Sequence, residues 1–157
     1  MTEGSLITDE LKKFIGRSMD PIIYRVEEGS IQRYADAMCD PNPLFSDIGY
    51  ANKSRWGKLI CPPGFFGWPA KLGYDPLALP NKLIEAGAPP NGLDGGIELE
   101  FFEPIGAGDI LTCVTSVADF SERSSKAGKM LIATVLIKYL NQNGDLVAEV
   151  RLTWLYR

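Results

Sequence analysis

The strictest pattern in the chain is its C-terminal stretch, LVAEVRLTWLY, residues 146–156. Leu146, Ala148, Val150, Leu152, Trp154 and Tyr156 alternate with Val147, Glu149, Arg151, Thr153 and Leu155. Because successive side chains of a β-strand point to opposite faces of a sheet, this period of two predicts a strand with one buried face. This strand decides the fold class, since the segments before it show the same period.

Three further strands are predicted upstream of this one. Residues 95–103 alternate, with Ile97, Leu99 and Phe101 on one face and Glu98 and Glu100 on the other. Residues 110–120 and 129–140 form the next two, and Asn143-Gly144 is a strong signal for a tight turn before the last strand. Long strands joined by short loops predict an antiparallel meander.

Helical periodicity is confined to the N-terminal third of the chain. Residues 8–16 predict a short helix capped by Thr8, and residues 30–38 predict a second, with Ile31, Tyr34, Ala35 and Met38 on one face. Residues 47–53 predict another helical turn, and residues 21–26 a strand. Helices before a meander indicate an α+β architecture, and no linker divides the chain, so we expect residues 1–157 to form one domain.

The composition excludes several classes of protein. A net charge of −4 without a Lys/Arg cluster argues against a nucleic-acid-binding surface. No stretch approaches the roughly 18–20 apolar residues that a membrane-spanning helix needs. The acidic N-terminus lacks the layout of a signal peptide, so a cytoplasmic location is expected.

The 157 residues contain no histidine, and this restricts the available chemistry. Ser–His–Asp catalysis is excluded, and a cysteine nucleophile would lack its usual imidazole base. The three cysteines, Cys39, Cys61 and Cys113, lack the spacing of metal ligands, and we expect them to be structural thiols. No metal site and no cofactor are predicted.

A motif follows the second predicted helix. Tyr34 precedes Asp40-Pro41-Asn42-Pro43-Leu44-Phe45, and a proline-glycine segment, WGKLICPPGF over residues 56–65, comes next. The strand-turn-strand of residues 95–109 and the stretch 128–145 complete the order. Judged locally, Asp and Asn before proline are common turn formers, so residues 40–43 could simply end the helix.

Taken together and in this order, these motifs resemble the MaoC-like enoyl-thioester hydratase and dehydratase family over roughly residues 8–156. The resemblance implies a single hot-dog fold, a curved antiparallel sheet wrapped around a central helix that we expect within residues 62–73. The family's hydratase motif reads Asp-x-Asn-Pro-φ-His. Asp40, Asn42 and Pro43 match it in place, Leu44 fits the φ position, and Phe45 stands where the histidine belongs.

The resemblance also implies which residues would lie at a site. Asp40 and Asn42 would be vestigial catalytic residues, while Gly64 and Phe65 would border a bound acyl-CoA or acyl-carrier-protein thioester. Gly64 could instead merely permit a turn, and Phe65 could be core packing. Some MaoC-like enzymes pair two unlike hot-dog units, one of which has lost the Asp/His pair. This chain resembles the second kind.

The resulting hypothesis is a non-catalytic subunit of a heteromeric enoyl-CoA hydratase or 3-hydroxyacyl dehydratase, with a histidine-containing MaoC-like partner that carries the chemistry. The alternative is a non-enzymatic acyl-thioester or lipid-binding homodimer that keeps the tunnel. A third possibility is an enzyme with altered chemistry built on Asp40. Acyl chain length, thioester carrier and oligomeric state stay open at this point.

Overall fold

The strand predicted at the C-terminus forms as β5, Leu146–Tyr156, in a computed structural model that describes residues 4–65, 75–125 and 128–157. The other strands are β1, Ile22–Arg25, β2, Gly92–Phe101, β3, Ile110–Ser125, and β4, Gly128–Leu140. Among the described residues they form one five-stranded antiparallel sheet in the order β1-β3-β4-β5-β2. β3, β4 and β5 form the predicted antiparallel meander. The predicted first strand of that meander is not next to β3, because β2 pairs with β5 at the edge of the sheet.

Five helices are described: α1, Asp9–Lys12, α2, Glu28–Ala37, α3, Pro43–Ser46, α4, Ile48–Lys53, and α5, Ala78–Glu85. The helices predicted over 30–38 and 47–53 are confirmed as α2 and α4. Thr8 caps α1 as expected by accepting a hydrogen bond from the N–H of Leu11. The helix predicted over residues 8–16 is too long, because Ile15 bridges to Val117 and Gly16 donates to the Val117 carbonyl. Pairing with β3 therefore ends α1 early.

The core lies on one face of the sheet, in two clusters. The first joins α2 and α4, through Ile31 and Ala51, to Leu111, Tyr139 and Val150 of the strands. The second joins α1 and α5 to the other end of β3 and β4, through Leu11, Leu79, Leu83, Val117, Leu131 and Val135. The buried residues of β4 are odd-numbered, as its period of two requires. The helices thus cover both ends of the same face.

Most of the central helix predicted within 62–73 lies outside the described residues. Its first part is described: the N–H of Phe65 donates to the Pro62 carbonyl at 3.1 Å, so the chain turns at this point. None of the helices in the described part of the chain is long and apolar enough to cross a membrane.

Candidate functional site

The end of α2 fixes the position of Asp40. The N–H of Asp40 donates to the carbonyl of Ala35, and the N–H of Cys39 donates to that of Asp36, both at 3.0 Å. Cys39 has φ +52°, a left-handed conformation that glycine usually supplies at this position. These bonds form a Schellman motif, which stops the helix and turns the Asp40 side chain toward the next segment.

Asp40 and Asn42 use their side chains to shape the turn. Oδ1 of Asp40 accepts a hydrogen bond from the N–H of Asn42 at 3.0 Å. The Asn42 Oδ1 in turn accepts from the N–H of Leu44 at 3.0 Å and caps α3, in which Pro43 takes the tolerated first position. Asp40 and Asn42 therefore lie in one turn. Both side chains accept hydrogen bonds from backbone N–H groups two residues further on, as expected if residues 40–43 simply end the helix.

Phe45, at the motif's histidine position, packs into the first core cluster. It is half-buried there, as are Phe65 and Tyr24, against a buried set that includes Leu59 and Cys61. These surroundings are mainly apolar and suit a phenyl ring.

Tyr34 lies over the segment at Gly64 and Phe65. Its ring meets that of Phe65 edge to face, with centroids 5.6 Å apart and planes at 88°. Gly64 has φ +91°, and a Cβ there would stand 3.0 Å from the Tyr34 hydroxyl. The left-handed backbone conformation favours glycine here, and the Tyr34 hydroxyl leaves little room for a side chain. The structure brings together the motif's aromatic residue and the two predicted substrate-binding positions.

An apolar groove of about 310 Å³ adjoins this segment. It runs between residues 60–63 and the turn that follows β2, and its lining is mostly aliphatic and aromatic: Ile60, Cys61, Pro63, Phe101, Phe102, Glu103, Pro104 and Ile105. The two walls are joined by a 2.8 Å hydrogen bond from the N–H of Cys61 to the carbonyl of Ile105. A groove of this size and character suits an acyl chain.

An ion pair that the sequence did not predict joins the residues just before one wall of the groove to those just after the other. Nζ of Lys58 lies 2.6 Å from Oδ1 and 2.7 Å from Oδ2 of Asp109, and the Asp109 side chain is only 13% exposed. Oδ2 also accepts from the N–H of Gly106 at 2.9 Å. The two charges are 51 residues apart, so no local pattern could have paired them.

The buried polar groups of the first core cluster are poor acids. Burial raises the pKa of the Cys61 and Cys113 thiols to about 12. Burial also raises the pKa of Tyr24, with a smaller contribution from nearby Cys113, and its hydroxyl has no hydrogen-bond partner. These groups stay neutral near pH 7, as expected of structural thiols. No cluster that could hold a metal ion occurs among the described residues.

A family model described as "FAS1-like, dehydratase domain region" matches residues 13–150. The chain belongs to the FAS1-like dehydratase family. It is 27% identical over 141 residues to a UPF0336 protein of Thermobifida fusca, covering 79% of this chain and 89% of the relative.

Solved structures agree with this family. A MaoC-like dehydratase from Rhodospirillum rubrum is 25% identical, with a TM-score of 0.62 over 90% of this chain and 91% of its own. Two complexes from Mycobacterium tuberculosis share the fold at 18% identity. The ChsH1–ChsH2 complex has a TM-score of 0.70 over 88% of this chain and 87% of that one. The HadBC (3R-hydroxyacyl-ACP dehydratase) complex has a TM-score of 0.67 over 90% of this chain and 96% of that one. The MaoC-like resemblance and the hot-dog fold class are confirmed.

Proposed function

We propose that this chain is a non-catalytic subunit of a heteromeric enoyl-thioester hydratase or 3-hydroxyacyl-thioester dehydratase, in which it shapes the acyl-binding site. The observation that carries the proposal is how residues 40–45 depart from the family's Asp-x-Asn-Pro-φ-His motif. Phe45 fills the histidine position and packs in the core, while the side chains of Asp40 and Asn42 bond to backbone N–H groups of their own turn.

The chemistry of hydration explains why the missing histidine matters. A base must take a proton from water as its oxygen attacks the β-carbon of the enoyl thioester, and an acid must deliver a proton to the α-carbon. Each well-placed acid or base contributes about 10²- to 10⁴-fold to the rate. With no histidine in the chain, one carboxyl group would replace two proton-transfer groups.

What the chain retains is a groove suited to binding an acyl chain. The groove near Gly64 and Phe65 is mostly apolar, and the Lys58–Asp109 ion pair lies next to both of its walls. Two of the proteins that share the fold are complexes whose names pair two components, and one of these is a 3R-hydroxyacyl-ACP dehydratase. A subunit that binds the acyl chain beside an active, histidine-containing partner accounts both for the groove in this chain and for its likeness to two-component complexes.

The test is hydration of crotonyl-CoA and longer enoyl thioesters by the purified chain. We expect activity at least about 10²-fold below that of a histidine-containing family member, from the loss of one proton-transfer group. Asp40→Ala should lower the residual rate no further than Asp36→Ala, a matched change of an exposed carboxylate on α2. Adding a histidine-containing hot-dog partner, sought first in the neighbouring reading frame, should raise the rate.

Two results would contradict the proposal. Robust turnover by the isolated chain that Asp40→Ala abolishes would show altered chemistry on that carboxylate. Tight thioester or fatty-acid binding by a homodimer that never gains activity with a partner would show an acyl-binding module instead.

A further inference from the structure

One stretch of this acidic protein carries only positive charge. The chain has 20 Asp and Glu against 16 Lys and Arg, yet residues 48–74 contain three lysines, one arginine and no acid. The stretch begins with α4 and includes one wall of the groove, residues 60–63. Charges of one sign beside a cleft raise the local concentration of ligands of the opposite sign. The approach to the groove from α4 therefore favours an anionic ligand.

Arg55 and Trp56 lie at the tip of a turn that follows α4. The N–H of Gly57 donates to the carbonyl of Ser54 at 3.2 Å, so Arg55 and Trp56 are the two central residues of this turn. The Ser54 hydroxyl donates to the carbonyl of Ala51 at 2.6 Å and accepts from the N–H of Trp56 at 3.2 Å. These bonds fix the turn on the end of α4 before any ligand arrives.

The turn presents cations together with an aromatic ring. The Arg55 guanidinium lies over the Trp56 ring, with its central carbon 4.1 Å from the ring centroid. Lys53, the last residue of α4, and Arg55 are both exposed, and neither forms an ion pair within the described ranges. A planar guanidinium matches phosphate oxygens, and an aromatic side chain stacks with a base. This combination suits a phosphorylated nucleotide.

Lys58 ties the turn to the groove. Its Nζ lies 2.6 and 2.7 Å from the two carboxylate oxygens of Asp109, so its charge is already matched and it does not serve a ligand. Trp56 stands four residues before Ile60, the first residue that lines the groove, so at most about 14 Å of extended chain separates them. The nucleotide-like site and the acyl groove are therefore neighbours.

The acids around this stretch do not cancel its charge. Asp40 and Asp47, which precede it, each accept a backbone N–H of their own turn, and Asp47 caps α4 at the end opposite Lys53. Asp109 is paired with Lys58. Glu103 lines the other wall of the groove as an exposed carboxylate, so the positive charge is confined to the α4 side.

We propose that Lys53, Arg55 and Trp56 bind the nucleotide end of coenzyme A, with phosphates on the two cations and adenine against the indole. The thioester carrier of this chain is then coenzyme A and not a carrier protein. This inference rests on the proposed function and names the carrier of its substrate. A coenzyme A thioester holds its phosphates and adenine at the far end of the pantetheine arm from the acyl chain. An acyl chain in the groove thus requires an anion site outside it. An acidic carrier protein would use the cations but not the aromatic ring.

The probe is coenzyme A itself, titrated calorimetrically into the purified chain at low salt. Dephospho-coenzyme A, which lacks the 3′-phosphate, and pantetheine, which lacks the nucleotide, are titrated beside it. Coenzyme A should bind about tenfold tighter than dephospho-coenzyme A, and pantetheine should bind most weakly, because charge-assisted bonds to phosphate are lost in steps. Raising the salt from about 0.05 to 0.5 M should weaken coenzyme A binding, since Lys53 and Arg55 are exposed.

The variant K53Q/R55Q should weaken coenzyme A at least about tenfold and leave pantetheine binding unchanged. Its preference for coenzyme A over the dephospho form should fall below about threefold. The matched control K82Q/R123Q removes the same charge from exposed positions on α5 and β3 and should bind coenzyme A like wild type. Trp56→Leu should weaken coenzyme A at least about fivefold through the lost base stack. If circular dichroism shows that Trp56→Leu is unfolded, K53Q/R55Q alone decides.

Three results would overturn the proposal. The first is equal affinity of wild type for coenzyme A and pantetheine, and the second is coenzyme A binding that K53Q/R55Q leaves unchanged. The third is an acidic holo-carrier protein that binds more tightly than coenzyme A and loses affinity in K53Q/R55Q but not in Trp56→Leu. Such a result would assign the cations to a carrier protein. No hydration is measured, so failure here leaves the test of the proposed function independent.

Discussion

Phe45 stands at the position where the family's hydratase motif has its histidine. It packs against the mainly apolar first core cluster. Catalytic groups must lie within hydrogen-bond reach of the proton they move and be oriented by a second group. A phenyl ring needs neither, and here it packs against the first core cluster, as Phe65 and Tyr24 also do. At this scale the departure from the hydratase motif involves the apolar surroundings of Phe45 as well as the residue itself.

Replacing Phe45 by histidine should therefore not restore hydration by itself. A buried imidazole without a partner tends to be neutral and misoriented, and its unsatisfied nitrogen costs roughly 1–3 kcal/mol of stability. We expect Phe45→His to unfold at a lower temperature than wild type and to hydrate crotonyl-CoA no faster than about twofold above it.

Phe45→Leu is the matched control, because it changes the packing without adding a polar atom. Recovery of hydration by Phe45→His to the level of an intact family member would show a fully preserved pocket and contradict this prediction.

Helix α5 shows how one element is held by a few contacts. It starts without a side-chain cap, so no local hydrogen bond from a side chain fixes its first turn. Leu79 and Leu83, four residues apart on one face, are buried in the second cluster with Leu11 of α1. Packing on the sheet rather than helix propensity stabilises this element.

Leu83→Ala should destabilise the protein by about 2–5 kcal/mol through lost burial and an added cavity. Leu77→Ala, at the exposed start of the same helix, should cost less than about 0.5 kcal/mol. Urea unfolding followed by circular dichroism measures both. Equal effects of the two substitutions would show that α5 does not anchor the second cluster.

The segment before α1 is joined to β3 by Glu122. Its Oε1 accepts from the Ser5 hydroxyl at 2.6 Å and from the N–H of Ile7 at 3.0 Å, and the N–H of Leu6 also donates to it. The Ser5 bond lowers the pKa of Glu122 most, followed by the two N–H groups and Lys129.

Because the folded pKa lies below the ordinary value of 4.5, this contact stabilises the segment above that pH and is lost as the pH falls below it. Amide exchange of Leu6 and Ile7 should accelerate, relative to that of the β3 core, as the pH falls through this range. Glu122→Gln should show fast exchange already at pH 7, whereas Glu85→Gln, exposed on α5, should not. Unchanged protection in Glu122→Gln would contradict the role of this carboxylate.

At the scale of the whole molecule, one sheet face collects side chains from distant parts of the described chain. Cys61 comes from the segment after α4 and Cys113 from β3, and both are buried in the first cluster. Burial raises the pKa of each thiol to about 12, whereas Cys39 is exposed at the end of α2. The two buried thiols therefore report on opening of the core.

A thiol reagent at pH 8 should label Cys39 rapidly and Cys61 and Cys113 at least about a hundredfold more slowly, since the thiolate is the reactive form and access is blocked. All three should react at once in guanidinium chloride. The Cys39→Ser variant should then show no fast phase. A second fast equivalent in the native protein would mean that the core around the groove opens locally.

The sequence by itself determined the four strands within residues 95–156, the α+β fold class and the family. A period of two in residues 95–156 is a local property of each strand, and so is the helical spacing of Ile31 and Ala35. The motif at residues 40–45, together with the proline-glycine segment and the strand motifs that follow it in order, predicted the MaoC-like hot-dog fold. The Asp40 and Asn42 turn was also open to prediction, because Asx side chains bond backbone only two residues away.

Only the tertiary structure decided which surfaces these elements form. α5 is held by burial against strands that lie far away in the chain, and the Lys58–Asp109 pair joins residues 51 positions apart. β2 pairs with the last strand instead of the next one, which leaves its glutamates and Ile97 on an open edge beside the groove. Such contacts depend on strand order, and a periodic pattern fixes which face of a strand is apolar but not which neighbour it receives.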